Sequence, residues 1–82
     1  MGFPRVSFDD EADMLYVQLA DGNVFETLPL GDLRMIDRSN DGTVIGIEFV
    51  SASDGVDLSN VPFASAIAAA IGDSGYPLRV YA

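Results

Sequence analysis

The chain has 82 residues, of which 49% are hydrophobic, and its formal net charge at pH 7 is −9. Histidine, cysteine, lysine and tryptophan are absent, which excludes disulfides, thiolate or imidazole metal ligands, and catalytic pairs built on histidine. The negative charge repels phosphate and therefore argues against nucleic acid or an anionic membrane as a partner. We expect one domain over residues 1–82, located in the cytoplasm, because no apolar run reaches the roughly 18 residues of a membrane span.

Alternation of apolar and polar side chains predicts two strands near the start of the chain, at residues 5–8 and 14–19. Asp21-Gly22 then has the composition of a tight hairpin turn, because glycine readily adopts the positive φ that such turns require. We therefore expect residues 24–28 to follow this turn as the next strand. Pro29 has no N–H to donate, so this strand should end there or lie at an edge of the sheet.

Two further strands are expected at residues 33–37 and 43–50, on either side of an Asn40-Asp41-Gly42 turn. In the second of these strands, three large apolar side chains share one face: Ile45, Ile47 and Phe49. Gly46 interrupts this strand and indicates either a bulge or the close approach of another group.

Residues 51–60 are polar and indicate a connection, and residues 61–72 predict an alanine-rich helix. Pro62 lies near its first turn and Gly72 just past its end, and its apolar stripe is formed by Phe63, Ile67 and Ile71. Residues 76–81 predict a last strand. The expected fold class is α+β: an antiparallel β-meander of about five to six strands, with one C-terminal helix packed on it and a final short strand.

Apolar residues occur on both faces of the predicted sheet, although one short helix can cover only one face. Val44 and Val50, for example, fall opposite the face that carries Ile45. The chain is short and has no disulfide to stabilise it, so a second copy is expected to bury the remaining apolar surface. We therefore expect a homo-oligomer, in the simplest case a homodimer.

Asp37, Ser39, Asp41 and Glu48 match the spacing of an EF-hand calcium loop, with Gly42 at its sixth position. An EF-hand loop is held between two helices, whereas both flanks of this segment alternate as strands do. Within a strand, Glu48 would lie roughly 20 Å along the chain from Asp41 and could not close the same loop. A hairpin turn is therefore favoured over a calcium site.

The acidic run Asp9, Asp10, Glu11 and Asp13 raises the hypothesis of divalent-metal binding or paired-carboxylate catalysis. Clustered carboxylates bind hard cations, and two carboxyl groups with different pKa values can divide the acid and base roles. A solvated acidic turn is the favoured interpretation. No residue is therefore assigned a catalytic, cofactor-binding or metal-binding role, and no cofactor is expected.

The order of motifs resembles a bacterial family of short proteins catalogued as a domain of unknown function. The resemblance rests on Val6–Val17 (VSFDDEADMLYV), Asp21-Gly22, Glu26-Thr27 and Asp41–Glu48 (DGTVIGIE), and covers about residues 5–53. It implies a compact β-meander with no established activity and no functional residues to transfer. Phe8 stands where tyrosine is usual in that family, and residues 61–82 are an extension beyond it.

These observations predict a non-enzymatic interaction module that binds a second copy of itself and, through its acidic surface, a small basic protein. The family resemblance implies an antitoxin-like or accessory role as one form of this function. The alternative is a carboxylate-dependent divalent-metal binder or hydrolase that uses the acidic turn from Asp9 to Asp13.

Overall fold

The computed structural model describes residues 2–82, which form one five-stranded antiparallel sheet, one helix and a second, two-stranded sheet. The elements in chain order are β1 (Arg5–Asp9), β2 (Met14–Gln18), β3 (Glu26–Pro29), β4 (Arg34–Arg38), β5 (Val44–Val50), β6 (Val56–Asp57), α1 (Ala64–Ser74) and β7 (Val80–Tyr81). A 3₁₀ turn, Ala52–Asp54, lies between β5 and β6. The predicted α+β class, with its antiparallel sheet, C-terminal helix and final short strand, is confirmed.

The strand order in the large sheet is β1-β2-β5-β4-β3. Strands β3, β4 and β5 follow one another as a meander, and the β1–β2 hairpin joins the other side of β5. Pro29 lies in an edge strand, as its missing N–H requires.

The hairpin predicted at Asp21-Gly22 is wrong, because β2 pairs with β5 and not with β3. The backbone N–H groups of Leu19 and Ala20 both donate to the carbonyl oxygen of Ile45, at 2.7 and 3.2 Å. These bonds keep the chain beside β5, and the following residues cross to the far edge of the sheet. A glycine-containing turn fixes a change of direction, but it does not determine which strands pair.

Apolar complementarity explains the pairing of β2 with β5. Leu15 lies opposite Phe49, and Val17 lies opposite Ile47. All four side chains are at most 1% exposed, and they pack with Ile67 and Ile71 of α1 in one core. The helix therefore covers the sheet face that carries the most regular apolar alternation.

The helix begins and ends later than predicted. It spans Ala64–Ser74, and Phe63 before it has a left-handed backbone, with φ of 59°. Gly72 lies inside the helix, and Gly75, with φ of 84°, follows its last residue. A left-handed glycine is a common helix terminator, so the stop signal belongs to Gly75.

The last strand is also shorter than the predicted 76–81, since β7 contains only Val80 and Tyr81. It pairs in parallel with β6, which lies in the segment expected to be a plain connection. Val56 of β6 is fully buried, so this short strand contributes a core residue from within a polar stretch of the sequence. Within residues 2–82, no helix has both the length and the apolar character needed to cross a membrane.

Phe49→Ala should lower the free energy of unfolding by about 3–5 kcal/mol, because it leaves a cavity at a fully buried position. The matched control is Phe25→Ala, which removes a side chain that is 67% exposed and should change stability by less than about 0.5 kcal/mol. Urea unfolding at one fixed protein concentration measures both changes. Equal unfolding midpoints for the two variants would contradict this assignment of the core.

Candidate functional site

The acidic run at the end of β1 is used to build its own turn. One carboxylate oxygen of Asp9, Oδ1, accepts hydrogen bonds from the backbone N–H groups of Glu11 and Ala12, each at 3.1 Å. Asp10 and Glu11 are exposed. An aspartate that bonds the backbone two residues ahead stabilises the turn itself.

Asp13 makes a contact that its sequence neighbourhood does not reveal. Its carboxylate accepts hydrogen bonds from the N–H of Ser53 at 2.8 Å and from the Ser53 hydroxyl at 2.6 Å. This contact ties the β1–β2 turn to the 3₁₀ turn, forty residues away along the chain. Among residues 2–82, no group of three or more acidic side chains is arranged to hold a metal ion.

The residues of the calcium-loop motif are distributed over two strands and the turn between them. Asp41 accepts hydrogen bonds from the Ser39 hydroxyl and from the backbone N–H of Thr43, and these bonds lower the pKa of Asp41 to about 2. Asp37 lies in β4, and Glu48 lies in the middle of β5, opposite Met35. The motif therefore forms a strand, a turn and a second strand.

The sheet face away from the helix carries a chain of hydrogen bonds centred on Asp37. The Tyr16 hydroxyl donates to Oδ2 of Asp37 at 2.9 Å, and the Thr27 hydroxyl donates to Oδ1 at 2.6 Å. These three residues belong to β2, β4 and β3, so the bonds cross the sheet. Both oxygens of the Asp37 carboxylate thus have a side-chain donor.

Gly46 makes this arrangement possible. Its strand lies between β2 and β4, and the Tyr16 ring passes over it to reach Asp37. A Cβ atom at residue 46 would fall 2.8 Å from Cε2 of Tyr16, and closer still to Cζ and the hydroxyl oxygen. The sequence predicted either a bulge or a close approach at this glycine: Tyr16 is the group that approaches, and the β4–β5 register also shifts beside Gly46, between Asp37 and Arg38.

The hydroxyl of Tyr16 donates its hydrogen bond to the Asp37 carboxylate. Burial, the hydrogen bond to Asp37 and the nearby negative charges of Asp37 and Glu48 all raise its pKa above the usual tyrosine range. The hydrogen bonds of Tyr16 and Thr27 to Asp37 link three strands.

Large apolar side chains are exposed beside both edge strands. Near β3 these are Val24, Phe25, Leu28 and Leu33, which are between 36% and 67% exposed. Just before the start of β1, Phe3 and Phe63 flank a cleft of about 480 Å³ that reaches the end of β2 and the start of β5, and its lining residues are all uncharged. The exposed large apolar side chains thus lie near β3 and just before the start of β1, and the two edge strands also have backbone groups open to a partner.

A family model described as a protein of unknown function, DUF2283, matches residues 5–53. The chain belongs to the DUF2283 family. The matched segment is more than half of the 82 residues and contains all five strands of the large sheet. No curated protein and no solved structure matches the chain.

The boundary of the DUF2283 match coincides with a change in structural role. Residues 54–82 lie outside the match and provide β6, α1 and β7. Their buried side chains, including Val56, Ile67 and Ile71, complete the core against the sheet. The family segment therefore supplies the sheet, and the C-terminal extension covers one of its faces.

Gly46→Ala should lower the free energy of unfolding by about 1–3 kcal/mol, because the new methyl group overlaps the Tyr16 ring. In a Tyr16→Ala background the same change should be neutral or stabilising, since alanine restricts the unfolded chain and the overlap is gone. Chemical denaturation of the four proteins gives the coupling free energy. Equal effects of Gly46→Ala in both backgrounds would refute the close approach.

The raised pKa of Tyr16 predicts a loss of stability in alkali. The folded state keeps this proton more tightly than the unfolded state, so the stabilisation is complete below the unfolded tyrosine pKa of about 10 and falls as the pH rises above it. Tyr16→Phe has no proton to lose at this position and should show a smaller alkaline decline. Urea midpoints measured across this pH range test the difference, and parallel curves for the two proteins would contradict it.

Proposed function

We propose that this DUF2283 protein is a non-enzymatic interaction module of the cytoplasm that acts as a homodimer. The observation that carries the proposal is that both edges of the sheet are unpaired, with exposed large apolar side chains near β3 and just before the start of β1. Open strand edges with apolar neighbours favour association with another chain. A second copy of the same chain is always present as such a partner.

The small size of the chain supports self-association. A short domain buries a smaller fraction of its surface than a long one, and this chain has no disulfide to compensate. In addition, α1 packs in the core on only one face of the sheet. A dimer would remove apolar surface from water without a longer chain.

The non-enzymatic part of the proposal is supported by the way the polar side chains are used. Asp9 and Asp13 accept hydrogen bonds that shape turns, and Asp37 is held by two hydroxyl donors. These contacts give the carboxylates structural partners within the chain. A catalytic acid or base would instead need a free side chain within reach of a substrate.

A small basic protein is a second candidate partner, favoured by the distribution of charge. Only two of the thirteen acidic residues, Glu26 and Asp57, form ion pairs within residues 2–82. The remaining negative charge would attract a cationic surface, and added salt would weaken such a complex. The antitoxin-like or accessory role corresponds to this second form of the proposal, in which the chain binds a small basic protein.

The proposed dimer should have twice the 8.7 kDa mass of one chain in light scattering at low micromolar protein concentration. Dilution should shift the mass toward one chain, because the dimer is held by non-covalent contacts alone. A mass of 8.7 kDa at every concentration, up to the solubility limit, would contradict self-association.

A further inference from the structure

Strand β1 is an edge strand whose outer side is open. It pairs only with β2, and none of the backbone hydrogen bonds outside the strand ladders of residues 2–82 involves residues 5–9. Its side chains alternate in exposure, with Arg5, Ser7 and Asp9 exposed and Val6 and Phe8 half-buried. The strand can therefore accept another antiparallel strand.

The sequence of β1 is complementary to itself when it is read in the opposite direction. In an antiparallel pair centred on Ser7, Arg5 of one copy lies opposite Asp9 of the other, and the same pair recurs at the other end. Such a pair is isologous, since each contact is made twice about a two-fold axis. Opposite charges that face each other across two strands stabilise the pair.

Only one register of the β1–β1 pair sets Arg5 opposite Asp9 at both ends. In the joined sheet, the helix-covered faces of both copies lie on the same side only if the two-fold axis passes at a residue, so that this residue pairs with itself in the other copy. An axis between two neighbouring residues would place the two faces on opposite sides. An axis at Val6 places Arg5 opposite Ser7, and an axis at Phe8 places Ser7 opposite Asp9. The axis at Ser7 alone pairs all five residues and both charges.

The two charged groups are available for this contact. Both turn-forming hydrogen bonds of Asp9 go to Oδ1, which leaves Oδ2 for an arginine. The two ion pairs formed within residues 2–82 are Arg34–Asp57 and Arg38–Glu26, so neither uses Arg5. The guanidinium of Arg5, the first residue of β1, lies over the ring of Phe3, 5.0 Å from the ring centroid.

The side chains of β1 on the helix-covered side of the contact, Val6 and Phe8, are apolar. Val6 and Phe8 pack against the core, and the same register places each of them opposite the other residue of the second copy. A cleft of about 620 Å³ lies between Pro4–Val6 and the small side chains Ala66, Ala69 and Ala70 of α1. The helix therefore leaves room beside the start of β1.

The other open edge is less suited to self-pairing. In β3, Pro29 has no N–H to donate, and Glu26 is already paired with Arg38. Glu26 is the one charged residue of β3, and an axis at Thr27 places it opposite Leu28. No register of β3 therefore sets opposite charges against each other.

We propose that two copies of the chain join through β1, paired antiparallel about a two-fold axis at Ser7, to form one continuous sheet. This inference rests on the proposed homodimer and identifies the surface that forms it. The partner at this edge is a second copy of the same chain, and the paired charges of Arg5 and Asp9 set the register.

Charge reversal tests this register. Arg5→Asp alone and Asp9→Arg alone each set like charges opposite each other at both ends of the pair, and each should weaken the dimer by about tenfold or more. An equimolar mixture of these two variants should form a heterodimer, because both positions then hold opposite charges. The double variant Arg5→Asp/Asp9→Arg should recover the dimer for the same reason. Analytical ultracentrifugation measures all four samples.

The matched controls are Arg79→Asp and Asp10→Arg, which make the same changes in charge at exposed positions outside the proposed pairs. Both should leave the dimer intact. Because Asp9 also forms the turn, thermal melting should establish that the Asp9→Arg variant is folded before its mass is interpreted.

A cross-link gives an independent readout. Opposite residues in an antiparallel pair have Cα atoms about 4.5–5.5 Å apart, which is within the range of a disulfide. The chain has no cysteine, so Ser7→Cys should form one disulfide between copies under mild oxidation, whereas the exposed helix variant Ser65→Cys should not form it at a comparable rate.

A wild-type monomer would overturn the proposed function. A wild-type dimer that tolerates both reversals and does not cross-link at Ser7 would overturn the β1 contact and leave the homodimer standing.

Discussion

The pairing of β2 with β5 is the contact on which the rest of the fold depends. It sets Leu15 against Phe49 and Val17 against Ile47, all fully buried, and joins the N-terminal hairpin to the β3–β5 meander. Three other parts attach to this pair, β1 to the outside of β2, β4 to the other side of β5, and α1 to the apolar face, and β3 in turn pairs with β4. Because the paired residues are far apart in sequence, their burial must offset the entropy of closing a long loop.

The two faces of this central pair are stabilised differently. One face is a packed apolar core, and the other carries the Tyr16–Asp37–Thr27 hydrogen bonds, for which Gly46 leaves space. The sheet is therefore well determined at its centre and open at its edges. The β1 edge combines a self-complementary sequence, exposed charges and half-buried apolar side chains.

Local patterns in the sequence predicted much of this fold, and non-local contacts explain what they missed. Alternation located β1, β2 and β5, the flanking turns located β3 and β4, and the glycine inside β5 indicated a bulge or a close approach. Strand pairing was mispredicted at Asp21-Gly22, because turn composition carries no information on the partner, and the helix end was assigned to Gly72 although Gly75 adopts the left-handed conformation. The contact of Asp13 with Ser53 spans forty residues and has no local signal. Of the acidic residues that suggested a metal site, Asp13 makes this long-range contact, whereas Asp9 bonds its own turn and Asp10 and Glu11 are exposed.

The claim that follows from this account is that the sheet is continued by a second copy across β1. Isotope-filtered nuclear Overhauser spectroscopy on an equal mixture of labelled and unlabelled protein tests it most directly, because it reports only contacts between copies. The account predicts contacts between Val6 of one copy and Phe8 of the other, and between the Ser7 residues at the axis. Contacts between copies that involve Phe25 and Leu28 beside β3, with none from β1, would contradict it.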